Sequence, residues 1–207
     1  MRVLLVGDIH TEDELLAESL ALGIREGVDR VMSVGDIVDG PNDPMPCIAR
    51  LRQRKVDVVR GNHERWVIEG NPMDPVDYPD DVMDWLAELP ATREYTTPTG
   101  RLLLGHGIGE DDMAELDRDT YGYALENLDP LWSLVRAKRY RYIVGGHTHK
   151  PMVREIEDVV FINPGTLVMT QEPGVTIADF TTRVFERFVL LPTVHRSQTW
   201  RLDDPSI

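Results

Sequence analysis

Short apolar runs rich in valine and leucine recur along this 207-residue chain, and each ends close to a Gly, Asp or Asn. Runs of this length, bounded by turn residues, are typical of buried strands rather than helices. Their recurrence limits the chain to a fold built on β-sheets. The runs cover residues 3–6, 31–34, 56–59, 102–105, 142–145 and 159–162.

Helical patterns fill the gaps between the first runs. Thr11 and Glu14 predict a capping box that opens a helix, and Asp43-Pro44 predicts a second helix over 44–54. Alternating strands and helices predict a parallel sheet with crossover connections. Apolar spacing predicts further helices over 82–89 and 131–139.

The second half of the chain has a different pattern, with strands predicted over 152–162, 166–171 and 174–191. A chain that begins α/β and ends mostly β predicts two mixed β-sheets packed face to face and flanked by helices, a four-layer αββα sandwich. The length suits one domain over 1–207. The stretch 65–98, rich in Pro, Asp and Trp, is interpreted as a lid or insertion.

Charge and cysteine content limit the expected partners and the expected cellular compartment. The formal net charge of -14 disfavours nucleic acid as a partner, because phosphate backbones are held by basic patches. The single cysteine, Cys47, excludes an intrachain disulfide and is typical of a reducing compartment. Neither a signal sequence nor an apolar stretch long enough for a membrane span is evident, so we expect a cytoplasmic protein.

Five of the six histidines follow a predicted strand and lie beside or near a glycine. The loops read GDIH (His10), GNHE (His63), GHG (His106) and GGHTH (His147 and His149), and only His195 lies elsewhere. In α/β folds, ligands bind beyond the carboxyl ends of the strands, so these loops are expected to converge. The glycines let the backbone turn sharply and approach a ligand closely.

Carboxylate and amide oxygens occupy the same loops. An imidazole and carboxylate set without a thiolate suits Mn²⁺, Fe, Zn²⁺ or Ni²⁺. Seven candidate ligand groups are more than one tetrahedral ion can bind. They suit two ions about 3.5–4 Å apart that share a carboxylate ligand. The candidate ligands are Asp8, His10, Asp36, Asn62, His106, His147 and His149.

In order, the motifs GDIH, GDIVD, GNHE, GHG and GGHTH resemble the signature of the calcineurin-like metallophosphoesterase superfamily, over residues 1–170. The resemblance implies two mixed sheets between helical layers and two divalent ions, with Mn²⁺ favoured. Within that superfamily, the chain is similar to small bacterial phosphodiesterases and diadenosine-tetraphosphatase-like enzymes. The resemblance implies one ion on Asp8, His10, Asp36 and His149, and a second on Asp36, Asn62, His106 and His147, with Asp36 bridging.

The resemblance also implies a reaction, the hydrolysis of a small phosphodiester or phosphomonoester by a hydroxide that bridges the two ions. His63, assigned to neither ion, would protonate the leaving group as a general acid. Asp39 would orient His63 and stabilise its cation. Substrate contacts are expected from Arg60, Asn62 and His63.

One departure from the family bears on the substrate. Gly40-Pro41 follows Asp39, where the protein phosphatase branch has Arg-Gly, and the absent arginine argues against phosphoprotein and dinucleoside tetraphosphate substrates. Two alternative functions remain. One is a metal-bearing interaction scaffold without turnover, like the retromer subunit of this fold, which the intact GNHE motif disfavours. The other is a nuclease, which the acidic charge disfavours.

Overall fold

The computed structural model describes residues 1–73 and 75–202. Two β-sheets lie at the centre, with helices outside. The strands are β1 (Arg2–Val6), β2 (Arg30–Ser33), β3 (Asp57–Val58), β4 (Arg93–Thr97), β5 (Gly100–Leu104), β6 (Tyr142–Val144), β7 (Met152–Ile156), β8 (Val159–Asn163), β9 (Gly174–Asp179), β10 (Val184–Val189) and β11 (His195–Arg201). The helices are α1 (Asp13–Arg25), α2 (Met45–Arg54), α3 (Asn62–Ile68), α4 (Asp80–Glu88), α5 (Tyr123–Glu126) and α6 (Asp129–Ala137).

Both sheets are mixed, as the sequence predicts. The first has the order β11-β10-β9-β1-β2-β3, and the second has the order β4-β5-β6-β8-β7. Strands β1, β2 and β3 are parallel because α1 and α2 return the chain between them, whereas β9 to β11 pair antiparallel. In the second sheet, β5, β6 and β8 are parallel, with β4 and β7 as antiparallel edges.

Three apolar clusters separate the four layers. Val3 and Leu5 of β1 face the core between the two sheets, while Leu4 and Val6 face the helices α1 and α2. A third cluster packs α6 against the outer face of the second sheet. Because β1 buries both faces, its sequence is a continuous apolar run rather than an alternating one. The αββα sandwich is confirmed.

Several local predictions were wrong. Helix α1 begins at Asp13 without a capping box, because the hydroxyl of Thr11 instead accepts the N–H of Asn42 at 2.9 Å. Residues 166–171 form turns rather than a strand, and Thr166 makes only an isolated bridge with Asp8. The polar edge strands β4 and β11 were not predicted, because neither carries an apolar run.

The predicted insertion 65–98 contains core elements. Val82 and Leu86 of α4 are buried in the helix-facing cluster, with Trp85 packed partly against it. Strand β4 forms an edge of the second sheet. The irregular part lies between α3 and α4. No helix within residues 1–73 and 75–202 has the length and apolar character that a membrane span needs.

Cys47 is expected to be unreactive in the native protein. It is buried in α2, and burial raises the pKa of its thiol to about 12, with the Asp13 charge acting in the same direction. A raised pKa keeps the thiol protonated, and only the thiolate is a strong nucleophile. We expect an aromatic disulfide reagent at pH 8 to label no thiol in native protein and one in urea. Rapid labelling of the native protein would contradict this burial.

Candidate metal centre

The loops after five parallel strands meet at one edge of the two sheets. Loops after β1, β2 and β3 carry GDIH, GDIVD and GNHE, and loops after β5 and β6 carry GHG and GGHTH. Hydrogen bonds join these loops. The N–H groups of Ile9 and His10 donate to the Asp36 carbonyl at 2.8 Å, and the N–H of Gly146 donates to the His106 carbonyl. The predicted convergence of the strand ends is confirmed.

Asp8, His10 and His149 form the first cluster of ligand atoms, all within 4.8 Å of one another. The Nε2 atoms of His10 and His149 are 3.3 Å apart. Nε2 of His149 is 3.7 Å from Oδ1 of Asp8. These are three of the four residues predicted to hold the first ion.

Asp36, His106 and His147 form the second cluster. Nε2 of His106 is 3.2 Å from Oδ2 of Asp36. Nδ1 of His147 is 3.0 Å from Oδ1 of Asn62, so Asn62 lies beside the second cluster. The four residues predicted to hold the second ion therefore lie together.

The carboxylate of Asp36 lies between the two clusters. Its Oδ2 atom is 3.2 Å from Nε2 of His106 and 3.7 Å from Nε2 of His10. Its Oδ1 atom accepts the backbone N–H of His63 at 3.1 Å, which fixes the carboxylate plane. Oδ2 of Asp36 therefore faces a histidine nitrogen of each cluster.

Three imidazoles, when neutral, would present an unprotonated nitrogen to the clusters. In each ring, Nδ1 contacts an oxygen that can only accept a hydrogen bond, so Nδ1 carries the proton. Nε2 of the neutral ring then carries a lone pair. The lone pairs of His10 and His149 then face each other at 3.3 Å, which is unfavourable unless a cation lies between them. Two nitrogen ligands of one ion, each about 2.0–2.1 Å from it, lie about 3–3.4 Å apart. The Nδ1 contacts, each 2.8 Å, are His10 to the Asp39 carbonyl, His106 to the Val34 carbonyl and His149 to Oε1 of Gln171.

The electrostatics also favour bound cations. Among residues 1–73 and 75–202, the buried Oδ2 of Asp8 has no hydrogen-bond partner, and the buried Nε2 of His106 has only ion-pair contacts, the nearest with Asp36 at 3.2 Å. Burial acts to lower the pKa of His106, but the charges of Asp36 and Asp8 outweigh it and raise that pKa to about 10. Burial acts to raise the pKa of Asp36, but the His106 charge dominates and holds it well below its usual range. The pocket stabilises positive charge, and its residues fit divalent ions.

A close backbone approach explains the glycine of the third motif. A Cβ atom on Gly61 would lie 2.1 Å from Oδ1 of Asp36 and 2.7 Å from its backbone nitrogen. Only glycine lets the two loops approach this closely, as the sequence predicts.

The centre also concentrates backbone strain. His10, Asp36, Asp39, His147 and His149 all have positive φ, between 42° and 64°. Such conformations cost a non-glycine residue on the order of 1–3 kcal/mol each and persist only where neighbouring contacts enforce them. The enforcing contacts are therefore part of the site.

The carboxylate of Glu64, which is fully buried, is the main such contact at Asp36. Its two oxygens accept the N–H groups of Asp36 at 2.8 Å, Ile37 at 2.6 Å, Val38 at 3.2 Å and Gly61 at 2.9 Å. Burial and the Asp36 charge raise the pKa of Glu64, and the N–H donors oppose this. Glu64 thereby joins the second and third motif loops beneath the bridging carboxylate.

Replacing Glu64 with alanine is expected to destabilise the fold. Four buried N–H groups would lose their acceptor, and each costs about 1–3 kcal/mol. We expect a loss of at least about 3 kcal/mol, which lowers the melting temperature by about 6–12 °C for a chain of this size. Circular dichroism of the metal-free protein measures this. The exposed Glu88→Ala on α4 is the control, and equal melting temperatures for both variants would contradict the assigned role.

His63 lies beside both clusters, and its ring is held by Asp39, which belongs to neither cluster. Its Nδ1 donates to Oδ2 of Asp39 at 2.9 Å, so Nε2 faces the centre, 3.8 Å from Oδ2 of Asp36. Trp66 packs edge-on against the His63 ring, with centroids 4.6 Å apart. The two residues predicted to be catalytic are thus paired. Because His63 also falls in a ligand-atom cluster with His10 and Asp36, metal retention is the essential control for a His63 variant.

Two other sequence candidates lie outside the clusters. The N–H of Arg60 donates to the Pro90 carbonyl at 2.8 Å, and its guanidinium makes no ion pair with residues 1–73 or 75–202. A substrate contact by Arg60 stays a prediction. His195 is exposed on β11, as expected for a residue outside the site.

Sequence reasoning assigned no role to Glu64 or Gln171. Glu64 is the last residue of GNHE, so its position was visible, but three of its four N–H donors lie in a loop 26 to 28 residues away. Gln171 lies in the segment misread as a strand, and no pattern marks it.

The family follows from comparison with known proteins. A family model described as the calcineurin-like phosphoesterase superfamily domain matches residues 1–183. The chain belongs to this superfamily. The superfamily is one of phosphoesterases that depend on bound metal ions. The resemblance carried by the five motifs is confirmed.

Individual relatives of this superfamily member are distant or partial. The chain is 37% identical over 68 residues to serine/threonine-protein phosphatase 1 of Salmonella typhimurium, which is 32% of each protein, so the match spans about a third of that relative's length. The phosphoesterase Yfce from E. coli matches with a TM-score of 0.62 and 19% identity, over 98% of this chain and 100% of Yfce. Vps29 from Entamoeba histolytica matches with a TM-score of 0.57 and 19% identity, over 97% and 100%. The two structural likenesses show the fold alone.

Proposed function

We propose that this superfamily member is a dinuclear phosphoesterase that hydrolyses small phosphodiesters or phosphomonoesters, with His63 as general acid. One observation carries the proposal. Oδ2 of Asp36 lies between two clusters of ligand atoms, 3.2 Å from His106 and 3.7 Å from His10, beside the His63–Asp39 pair. Superfamily membership supplies the reaction class.

The proposed ligands divide between two ions. The ions would neutralise the charge of the phosphoester and activate a water molecule. Mn²⁺ is proposed first, with Fe, Zn²⁺ and Ni²⁺ as alternatives, because mixed imidazole and carboxylate sets accept all of them. Asp8, His10, Asp36 and His149 would hold one ion, and Asp36, Asn62, His106 and His147 the other.

The protein's own acid–base chemistry lies in the His63–Asp39 pair. Nε2 of His63 faces the clusters, so its proton can reach the oxygen of the departing alcohol. The Asp39 carboxylate holds the proton on Nδ1 and stabilises the imidazolium before transfer. Asn62 and His63 lie where they can contact substrate, and Arg60 is the third proposed contact.

The site favours a substrate of low charge. A Cβ atom on Gly40 would lie 2.1 Å from the His10 carbonyl oxygen, so no arginine fits directly after Asp39 to grip a phosphate. The net charge of -14 also opposes the approach of polyanions. We therefore propose a small phosphoester rather than a phosphoprotein or a nucleic acid.

The test compares hydrolysis of bis-p-nitrophenyl phosphate and p-nitrophenyl phosphate by the full-length protein. Each ester is assayed as purified, after a chelator, and after adding back Mn²⁺, Zn²⁺ or Ni²⁺, or Fe²⁺ without oxygen. We expect the chelator to abolish p-nitrophenolate release and one of these ions to restore it. The ratio of the two rates distinguishes a diesterase from a monoesterase. No release from either ester with any ion would contradict the proposal and favour a scaffold without turnover.

We propose a single domain over 1–207, in which the stretch 65–98, predicted as a lid or insertion, borders the site through Trp66, whose ring contacts His63. The N–H of Met73 donates to Oδ2 of Asp39 at 3.2 Å, directly beside His63. A reducing cytoplasm is the proposed compartment because Cys47 is a free thiol.

A further inference from the structure

We propose that Gln171 is a positioning residue that orients His149 and thereby sets the affinity of the first ion site independently of the second. The inference rests on the proposed function, because it takes His149 as a metal ligand. Gln171 lies outside all five motifs, 22 residues after His149.

The decisive contact is a side-chain hydrogen bond. Nδ1 of His149 donates to Oε1 of Gln171 at 2.8 Å, which leaves the Nε2 lone pair facing His10. The other two anchored ligands use backbone carbonyls, His10 that of Asp39 and His106 that of Val34. Of these three, only the orientation of His149 therefore depends on a side chain that a mutation can remove.

The backbone of the loop that carries Gln171 is held in place by hydrogen bonds on both sides of that residue. The guanidinium of Arg187, only 2% exposed, donates to the Glu172 carbonyl at 2.7 Å and to the Pro164 carbonyl at 3.1 Å. The hydroxyl of Thr166 donates to the Asp8 carbonyl at 2.8 Å. The loop is thus tied at one end to Asp8, in the loop after β1, and at the other to β10.

His149 needs this support more than its neighbours. Its side chain is 21% exposed, whereas that of His106 is 0% exposed and that of His10 is 9% exposed. Its backbone has a φ of 60°. Its ring is less enclosed than theirs, so the Gln171 bond supplies a larger part of its orientation. Loss of an outer hydrogen bond to a ligating histidine typically costs about 10–100-fold in metal affinity, and the exposure of this bond places the effect near tenfold.

The experiment measures Mn²⁺ binding to the full chain by calorimetry and by metal content after gel filtration. Gln171→Met removes the acceptor with little change in shape. We expect it to weaken one of two Mn²⁺ sites about tenfold and to leave the other unchanged. Gln171→Glu restores an acceptor and is expected to bind both ions at least as tightly as the native chain. The exposed neighbour Thr170→Ala is the matched control and should bind as the native chain does.

The outcomes separate the two proposals. If the native chain binds two ions and Gln171→Met binds both with native affinity, the role of Gln171 is overturned and the dinuclear proposal stands. Equal weakening by the Met and Glu variants would also overturn it, because loss of the acceptor would not be the cause. A native chain that binds no ion would overturn the dinuclear centre and this inference together. Should Gln171→Met not fold, weaker binding by Gln171→Glu than by Thr170→Ala decides against the proposal.

Discussion

Replacing His63 with alanine is expected to lower kcat by about 10²–10⁴ while the protein retains both ions, because general-acid catalysis contributes a factor of that size. The loss should be larger for an alkyl leaving group than for p-nitrophenolate, since a poor leaving group needs the proton more. Binding should persist because the ligand side chains are unchanged and the backbone N–H of residue 63 still reaches Oδ1 of Asp36.

The measurement combines steady-state kinetics on an aryl and an alkyl ester with metal analysis of the same samples. His195→Ala is the matched control, since His195 is exposed on β11. Its kinetics and metal content should equal those of the native chain. Undiminished turnover of the alkyl ester by His63→Ala would remove the assigned role. Loss of one ion instead would make His63 a ligand, as its place near His10 and Asp36 would allow.

Replacing Asp36 with asparagine is expected to weaken both ion sites and to reduce turnover by about 10³-fold or more. Oδ2 of Asp36 faces both clusters, so a neutral amide withdraws a charged ligand from each ion. Metal ions contribute several kcal/mol of transition-state stabilisation, and about 4 kcal/mol corresponds to 10³ in rate. The substitution is nearly isosteric, so the amide oxygen can still accept the His63 N–H.

Mn²⁺ titration and kinetics at saturating metal test this expectation. Asp81→Asn, on an exposed part of α4, removes the same charge away from the centre and should leave both quantities unchanged. We expect Asp36→Asn to hold less than one ion at Mn²⁺ concentrations that fill the native chain. Loss of one ion with native affinity for the other would place Asp36 on a single ion and contradict the bridge.

Much of the site was predictable because its residues are encoded locally. Each ligand follows a short apolar run, and parallel strands deliver their carboxyl ends to one edge. A reader of the chain can therefore place Asp8, Asp36 and His106 together without knowing a single distance. The resemblance to the superfamily, rather than strand order, implied that Asp39 orients His63, and the two side chains are 2.9 Å apart.

The fold was less completely predictable at its edges. Strands β4 and β11 are polar and mostly exposed, so they lack the apolar signal that marks β1 or β8. The capping box at Thr11 and Glu14 failed because the Thr11 hydroxyl found a partner at Asn42, 31 residues away. Local patterns assume local partners, and tertiary contacts override them.

The sequence by itself determined the fold class, the superfamily and the loops that carry the ligands, because strand periodicity and strand-end motifs are properties of consecutive residues. Only the tertiary structure decided which atoms face one another. It placed Asp36 between two clusters, directed the His10 and His149 lone pairs toward one point, and assigned Glu64 and Gln171 to hold them. Those relations depend on hydrogen bonds between segments far apart in the chain, which no spacing along it records.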